Sequence, residues 1–136
     1  EHDSLRDLIS RMRRHAEEVF LTRDIRLDFE APSDAEQLKL DIETRRDLYL
    51  IFKEAVNNAA RHATCSAVSI HVQASATHIQ LTVVDNGKGF DPSALSEGNG
   101  LLSMRNRARA MKGKLKIEST PGKGAELSLT VPVLPA

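Results

Sequence analysis

The stretch Val68-Ser69-Ile70-His71-Val72-Gln73-Ala74-Ser75-Ala76-Thr77-His78-Ile79-Gln80-Leu81-Thr82-Val83-Val84-Asp85-Asn86-Gly87-Lys88-Gly89 decides the fold. Apolar residues alternate at Val68, Ile70 and Val72 and again at Ile79, Leu81 and Val83, the period of a strand with one buried face. Between them Ser75-Ala76-Thr77 supplies a turn, so the two runs predict an antiparallel hairpin that ends at Asp85. Downstream, Leu115 and Ile117, then Leu127, Leu129 and Val131, repeat the pattern around Thr120-Pro121-Gly122-Lys123-Gly124, a second hairpin. Upstream, Ile25, Leu27 and Phe29 read as one more half-buried strand, stopped by Ala31-Pro32-Ser33-Asp34.

Three helical patterns surround these strands. Leu5, Leu8, Ile9, Met12, Ala16, Val19 and Phe20 recur at spacings of three and four, an amphipathic helix with arginines outside. Thr44 with Asp47 resembles a capping box and precedes Leu48, Ile51, Phe52, Ala55, Ala59 and Ala63, so the second helix is predicted from about Thr44 to His62. The third starts near Gly100, turns Leu101, Met104, Ala108 and Met111 inward, and is predicted to stop at Gly113. Helices and strands do not alternate strictly, and two strand pairs are joined by hairpins. The fold class is therefore α+β: a two-layer α/β sandwich with a mixed, mostly antiparallel sheet and helices on one face. The 136 residues suit a single domain, 1–136, large enough to bury a continuous core.

Composition narrows the function. Lysine plus arginine, 19, equals aspartate plus glutamate, 19, so no global field draws the chain to nucleic acid or a membrane surface. An anionic ligand must be held locally. The single Cys65 forms no internal disulfide, and no run reaches the roughly 18 apolar residues of a membrane span, which points to the cytoplasm. The chain starts without Met and is in helical pattern by Leu5, as expected of a piece of a longer protein.

Three features carry chemistry. On the second helix Glu54, Asn58 and Arg61 fall within about 60° of one another, bringing an acid, an amide and a cation to one rim. An amide oxygen can ligate a hard divalent cation, a carboxylate can bind it or act as a base, and a guanidinium can meet phosphate. Asn57 and Asn58 in mid-helix also cost helix propensity, a local violation of the kind that gathers at functional sites. The plain alternative is a pair of solvated charges beside two incidental amides. Second, a buried strand delivers Asp85 into a turn where Gly87 and Gly89 leave bare backbone for a ligand's approach. A carboxylate there suits an exocyclic amine such as adenine's and repels phosphate; the plain alternative is an ordinary Asp-Asn-Gly turn. Third, Gly98-Asn99-Gly100-Leu101 opens the third helix, whose N–H groups and dipole favour an anion. Neither a P-loop nor a Gly-x-Gly-x-x-Gly motif occurs.

The order Glu54-x-x-x-Asn58, Asp85-x-Gly87-x-Gly89, Gly98-x-Gly100-Leu101 and Gly122-Lys123-Gly124 resembles the ATP-binding signature of sensor histidine kinases. These share the Bergerat-type fold of type II topoisomerases, mismatch-repair and heat-shock chaperone ATPases. Within that superfamily, Glu54-Ala55-Val56-Asn57-Asn58-Ala59-Ala60-Arg61-His62-Ala63 and Gly100-Leu101-Leu102-Ser103-Met104-Arg105-Asn106-Arg107-Ala108 resemble the subfamily paired with nitrate-type response regulators. The resemblance spans about Asp41 to Pro132. It implies ATP and Mg²⁺ as cofactors, with Asn58 on the metal and Glu54 activating water or the attacking group. Arg61 and His62 would lie near the phosphates, Asp85 would accept the adenine amine, and Gly87 and Gly89 would line the base pocket. Residues 90–99 would form a lid, with Gly98, Gly100 and Leu101 at the phosphates.

The same resemblance implies transfer of the γ-phosphoryl group to a histidine on a separate helical hairpin, which is absent upstream here, and a response regulator as indirect partner. It also implies little activity for the domain in isolation, no nucleic-acid partner, a monomer, and a place in the cytoplasmic portion of a membrane-bound sensor. Ala125 departs from the family's usual threonine after the last glycine pair. Two alternatives stay open: an anti-sigma-like serine kinase, and a nucleotide-binding regulatory module without transfer. His15, His71 and His78 have no spacing that assembles a metal site and read as surface residues.

Overall fold

The computed structural model describes residues 4–32, 40–62, 64–89 and 100–133, with only the backbone of His62. The elements run α1 (Leu5–Leu21), β1 (Arg26–Glu30), α2 (Ile42–His62), β2 (Ala67–Ala74), β3 (His78–Asp85), α3 (Leu101–Ala110), β4 (Lys114–Ser119) and β5 (Ala125–Pro132). The strands form one sheet in the order β1-β2-β3-β5-β4. Both predicted hairpins form, and β3 and β5 join them antiparallel at the centre. β1 pairs with β2 in parallel, so the sheet is mixed as expected.

Register follows from the period of two. Phe29, Ile70, Val83, Leu127 and Ile117 align in one row across all five strands, and Val72, Leu81, Leu129 and Leu115 form the next. These rows face the helices, and a slip by one residue in any strand would turn its apolar set to solvent. The next row out reads Leu27, Val68, Asp85, Ala125 and Ser119. Here a carboxylate takes a core-facing position between two apolar neighbours. At the β2–β3 turn, Ser75 Oγ accepts from the N–H groups of Thr77 and His78 at 3.3 and 3.1 Å, fixing the hairpin's reversal.

The helices cover the row-bearing face, with α2 packed against both α1 and α3. Leu5, Leu8, Met12, Ala16 and Phe20 of α1 and Leu48, Ile51, Phe52 and Val56 of α2 are buried with the strand rows in one core. Ser4 caps α1 by accepting the Asp7 N–H at 3.1 Å. α2 begins earlier than Thr44 because Asp41 is its cap: the Asp41 carboxylate accepts the Thr44 N–H at 2.7 Å. Asp47, read from sequence as a capping residue, is instead buried and faces α3. α3 ends before Gly113, and the left-handed residue after it is Lys112, with φ of 58°. Gly113 is required for space: a Cβ there would lie 2.8 Å from the Thr130 carbonyl oxygen. Among the described residues no helix is long and apolar enough to cross a membrane.

Candidate functional site

The end of β3 and the turn beyond it form one wall. The carboxylate of Asp85 accepts the Gly87 N–H at 2.8 Å and is also bonded by the backbone N–H of Ala125. Burial among Val68 and its neighbours pushes the Asp85 pKa up, and those two N–H groups act in the opposite direction. A half-buried carboxylate of this kind accepts readily from an outside donor. The donor at position 125 is main chain, so the alanine in place of threonine leaves this bond intact while removing a hydroxyl from the wall.

The turn around Asp85 closes by very tight backbone packing. Gly124, with φ of +77°, passes so near that a Cβ on it would lie 2.3 Å from the Asp85 carbonyl oxygen. Gly89, with φ of +69°, is likewise pressed on the 120–124 turn, where its Cβ would meet the Thr120 oxygen at 2.2 Å. The Gly122 N–H donates to the Lys88 carbonyl, tying the two turns together. Asn86 completes the clamp: its Oδ1 accepts from the N–H groups of Ser66 and Ala67, each at 3.0 Å, and its Nδ2 donates to Ser66 Oγ. Sequence reading gave Asn86 no task. The Asn-Gly pair marked a turn, but the partners, Ser66 and Ala67, stand at the entry to β2, which only the fold brings near.

α2 carries the second group of candidate residues. Glu54 and Asn58 are half-buried one turn apart, and the Asn58 amide oxygen has no exposed surface. The Glu54 side chain lies directly over Gly100: a Cβ on Gly100 would fall 2.3 Å from its Oε2. Gly100 is the N-cap of α3, with φ of 78° and no side-chain cap bond, unlike Ser4 and Asp41 at the other two helices. The α3 start thus offers its backbone to an anion beside a carboxylate and an amide. Leu101 is half-buried at that start.

Arg61 does not reach this group. Its side chain is exposed and folds back on its own helix, Nε donating to the Asn57 carbonyl at 3.4 Å. Of the Asn57-Asn58 pair, Asn57 hydrogen-bonds the His15 side chain on α1, while the Asn58 amide oxygen is buried. His15 is consequently no surface residue: it is half-buried beside Tyr49 and Phe52, and burial lowers its pKa. Gly98 and the lid range 90–99 lie outside the described residues, as does the side chain of His62.

Two charged arrangements escaped the sequence. Asp47, 4% exposed, accepts from Arg107 of α3 at 2.9 Å, an ion pair across 60 positions of chain. On the opposite sheet face Asp28, Glu30 and His71 place three ligand atoms within 4.8 Å of one another, with His71 Nδ1 3.7 Å from Glu30. Only the parallel β1–β2 register, Glu30 beside His71, produces that proximity. These groups are largely exposed and far from the α2 rim. Cys65 is half-buried, and desolvation together with the Asp85 charge raises its pKa, which keeps the thiol protonated and unreactive.

The fold defines a class of protein, a two-layer α/β sandwich with candidate polar residues on its central helix, at the end of β3 and at the start of α3. Residues 43–135 match the histidine kinase-, DNA gyrase B- and HSP90-like ATPase family, and the chain belongs to it. It is 38% identical over 98 residues to the sensor histidine kinase YdfH of Bacillus subtilis, covering 69% of this chain and 24% of that protein. It is 33% identical over 87 residues to the signal transduction histidine-protein kinase/phosphatase DegS of Brevibacillus brevis, covering 63% of this chain and 22% of that one. The chain therefore spans about a quarter of the length of these curated relatives. Among solved structures, the catalytic domain of histidine kinase ThkA superposes with a TM-score of 0.76 at 22% identity, covering 97% of this chain and 94% of that one. The histidine kinase domain of the Erythrobacter litoralis EL346 blue-light activated histidine kinase gives 0.77 at 18% identity, covering 93% and 61%. These two likenesses establish the fold.

Proposed function

We propose that this chain is the ATP-binding catalytic domain of a sensor histidine kinase, holding Mg-ATP between the β3 end and α2. The observation that carries the reading is Asp85: a carboxylate in a core-facing row, half-buried, with raised pKa and two backbone donors. Such a group suits one neutral donor with a definite direction, as the adenine amine provides, and disfavours phosphate. Gly87 and Gly89 beside it give the flat base close access. The phosphates then lie toward α2 and the start of α3, where Gly100 and Leu101 present backbone to an anion; by the resemblance Gly98 would join them.

The donor set on α2 fits a hard cation. Asn58 offers a shielded amide oxygen and Glu54 a carboxylate one turn away, and oxygen ligands of this type suit Mg²⁺. Bound there, the cation would neutralise phosphate charge. Glu54 would take the proton of the attacking group, Arg61 would turn from the helix surface to the phosphates, and His62 would lie near them. The acceptor would be a histidine on a helical hairpin of the full-length kinase, with a response regulator downstream of it, of the nitrate-type group that the α2 and α3 motifs resemble. Residues 1–136 act as one ATP-binding unit, and alignment of donor and acceptor supplies most of the catalysis.

Thermal stability with and without Mg-ATP tests the site. Ligand at about 100 times its dissociation constant should add roughly 2.7 kcal/mol. Asp85→Asn is expected to abolish the gain, and Asn58→Ala to weaken it only when magnesium is present. A folded parent that shows no gain at millimolar nucleotide would sink the proposal. Adding a phosphoacceptor hairpin in trans should then give acid-labile phosphohistidine, whereas phosphoserine on a protein partner would move the chain to the serine-kinase class.

A further inference from the structure

α2 and α3 meet at two matched places. Glu54 lies over Gly100 at one end, and Asp47 bonds Arg107 at the other. Seven residues separate Asp47 from Glu54, and seven separate Gly100 from Arg107. Seven residues of helix advance about 10.5 Å and return to within about 20° of the same face. The two helices are thus antiparallel and in register, with one contact at the site and the other two turns away.

The packing between these contacts specifies register poorly. α3 has ten residues, and its buried side chains are Met104 and Ala108, a pliable thioether and a methyl group. Apolar contact of that kind is non-directional and tolerates a slide along the axis. The Asp47–Arg107 bond is directional, and its carboxylate side chain is only 6% exposed. Arg46 also approaches Asp47, at 3.5 Å, but it belongs to the same helix and says nothing about α3.

We propose that Asp47 and Arg107 are positioning residues for the nucleotide site: their ion pair sets the axial register of α3 on α2 and so holds the α3 start opposite Glu54. The inference rests on the reading that nucleotide phosphates lie at that start. The base pocket, built on the end of β3 and the 120–124 turn, does not depend on the pair. Loss of register should therefore weaken phosphate binding and leave the binding of the nucleoside alone.

The experiment compares Mg-ATP and adenosine by calorimetry on the parent and on Asp47→Leu/Arg107→Met, with melting temperatures recorded for both. Removing both charges avoids a lone buried ion, so the double variant should keep close to the parent's melting temperature. Its adenosine affinity should equal the parent's, and its Mg-ATP affinity should fall about tenfold, the order set by one charge-assisted hydrogen bond. Equal Mg-ATP affinity at parental stability would reduce the pair to a fold-stabilising contact and overturn the inference. Should the double variant not fold, Asp47→Leu gives the same comparison, removing the acceptor and leaving the partly exposed Arg107 access to water. The same split is expected there, and its absence is equally decisive. A folded parent that binds neither ligand overturns the nucleotide reading itself, an outcome distinct from a variant that binds as the parent does.

Discussion

The two parts of the candidate site, the end of β3 and α2, form walls built by opposite means. At the end of β3 the wall is fixed largely by main chain: Asp85 is bonded by two backbone N–H groups, and Gly89 and Gly124 press directly on neighbouring carbonyls. On α2 the wall consists of side chains, and its alignment with α3 depends on one steric contact and one ion pair. The first wall is rigid at a cost in tolerance, the second adjustable at a cost in precision. That division suits a ligand with one flat end of constant shape and one charged end that changes during a reaction.

The contrast breaks most directly at Gly124. Gly124→Ala adds a Cβ 2.3 Å from a carbonyl oxygen at φ of +77°, and should cost roughly 3 kcal/mol in urea denaturation. A loss below about 1 kcal/mol would show that this wall yields as easily as the other. Arg107→Met, which among the described residues leaves Asp47 the Arg46 guanidinium as its ion-pair partner, should cost about 2 kcal/mol, below the range for fully buried pairs because Arg107 is partly exposed. A cost as large as that of Gly124→Ala would mean the ion pair carries general stability as well as alignment.

Two pH-dependent variants sharpen the same comparison. The Asp41 carboxyl is held below its usual range by the Thr44 hydroxyl and N–H, so its contribution is full above the ordinary carboxylate value and fades as pH falls through the lowered one. Asp41→Ala should thus cost about 1 kcal/mol at neutral pH and nothing once the parent's carboxyl is protonated. Asp85 has the opposite sign. Burial raises its pKa, so stability declines as pH rises from the ordinary value through the raised one, and the penalty persists above it. Asp85→Asn should remove that decline and change stability at neutral pH by less than about 1 kcal/mol, toward greater stability. A large destabilisation in guanidinium or urea melts would mean the carboxylate is there for the fold.

Local signals were legible in the sequence, and partnerships across the fold were not. Alternation at Val68–Val72 and Ile79–Val83 predicted the central hairpin, and the glycines at 87 and 89 marked its end, because strand period and turn chemistry are properties of neighbours in the chain. Asp47 was misread for the same reason: three residues after Thr44 it has the form of a cap, and only α3, sixty positions on, reveals it as a buried partner. Asp41, one position before the helix, took the cap instead. Gly113 was read as the stop of α3; Lys112, one residue earlier, adopts the left-handed conformation, and Gly113 is needed where β5 leaves no room for a Cβ. Arg61 sits on the α2 face its spacing gives, but helical spacing does not tell which way a long side chain folds.

The parallel pairing of β1 with β2 has a kinetic consequence. The β2–β3 hairpin closes across a short turn, whereas Arg26 meets Ala67 only after about forty intervening residues, including all of α2, have been gathered in. Closing the longer loop costs about 2 kcal/mol more in chain entropy. β1 should therefore join a sheet already assembled from β2, β3 and β5, and leave it first. Native-state hydrogen exchange should find the β1 amides opening at lower free energy than those of β3, so that the chain frays from its first strand while the end of β3, on the far side of β2, stays paired.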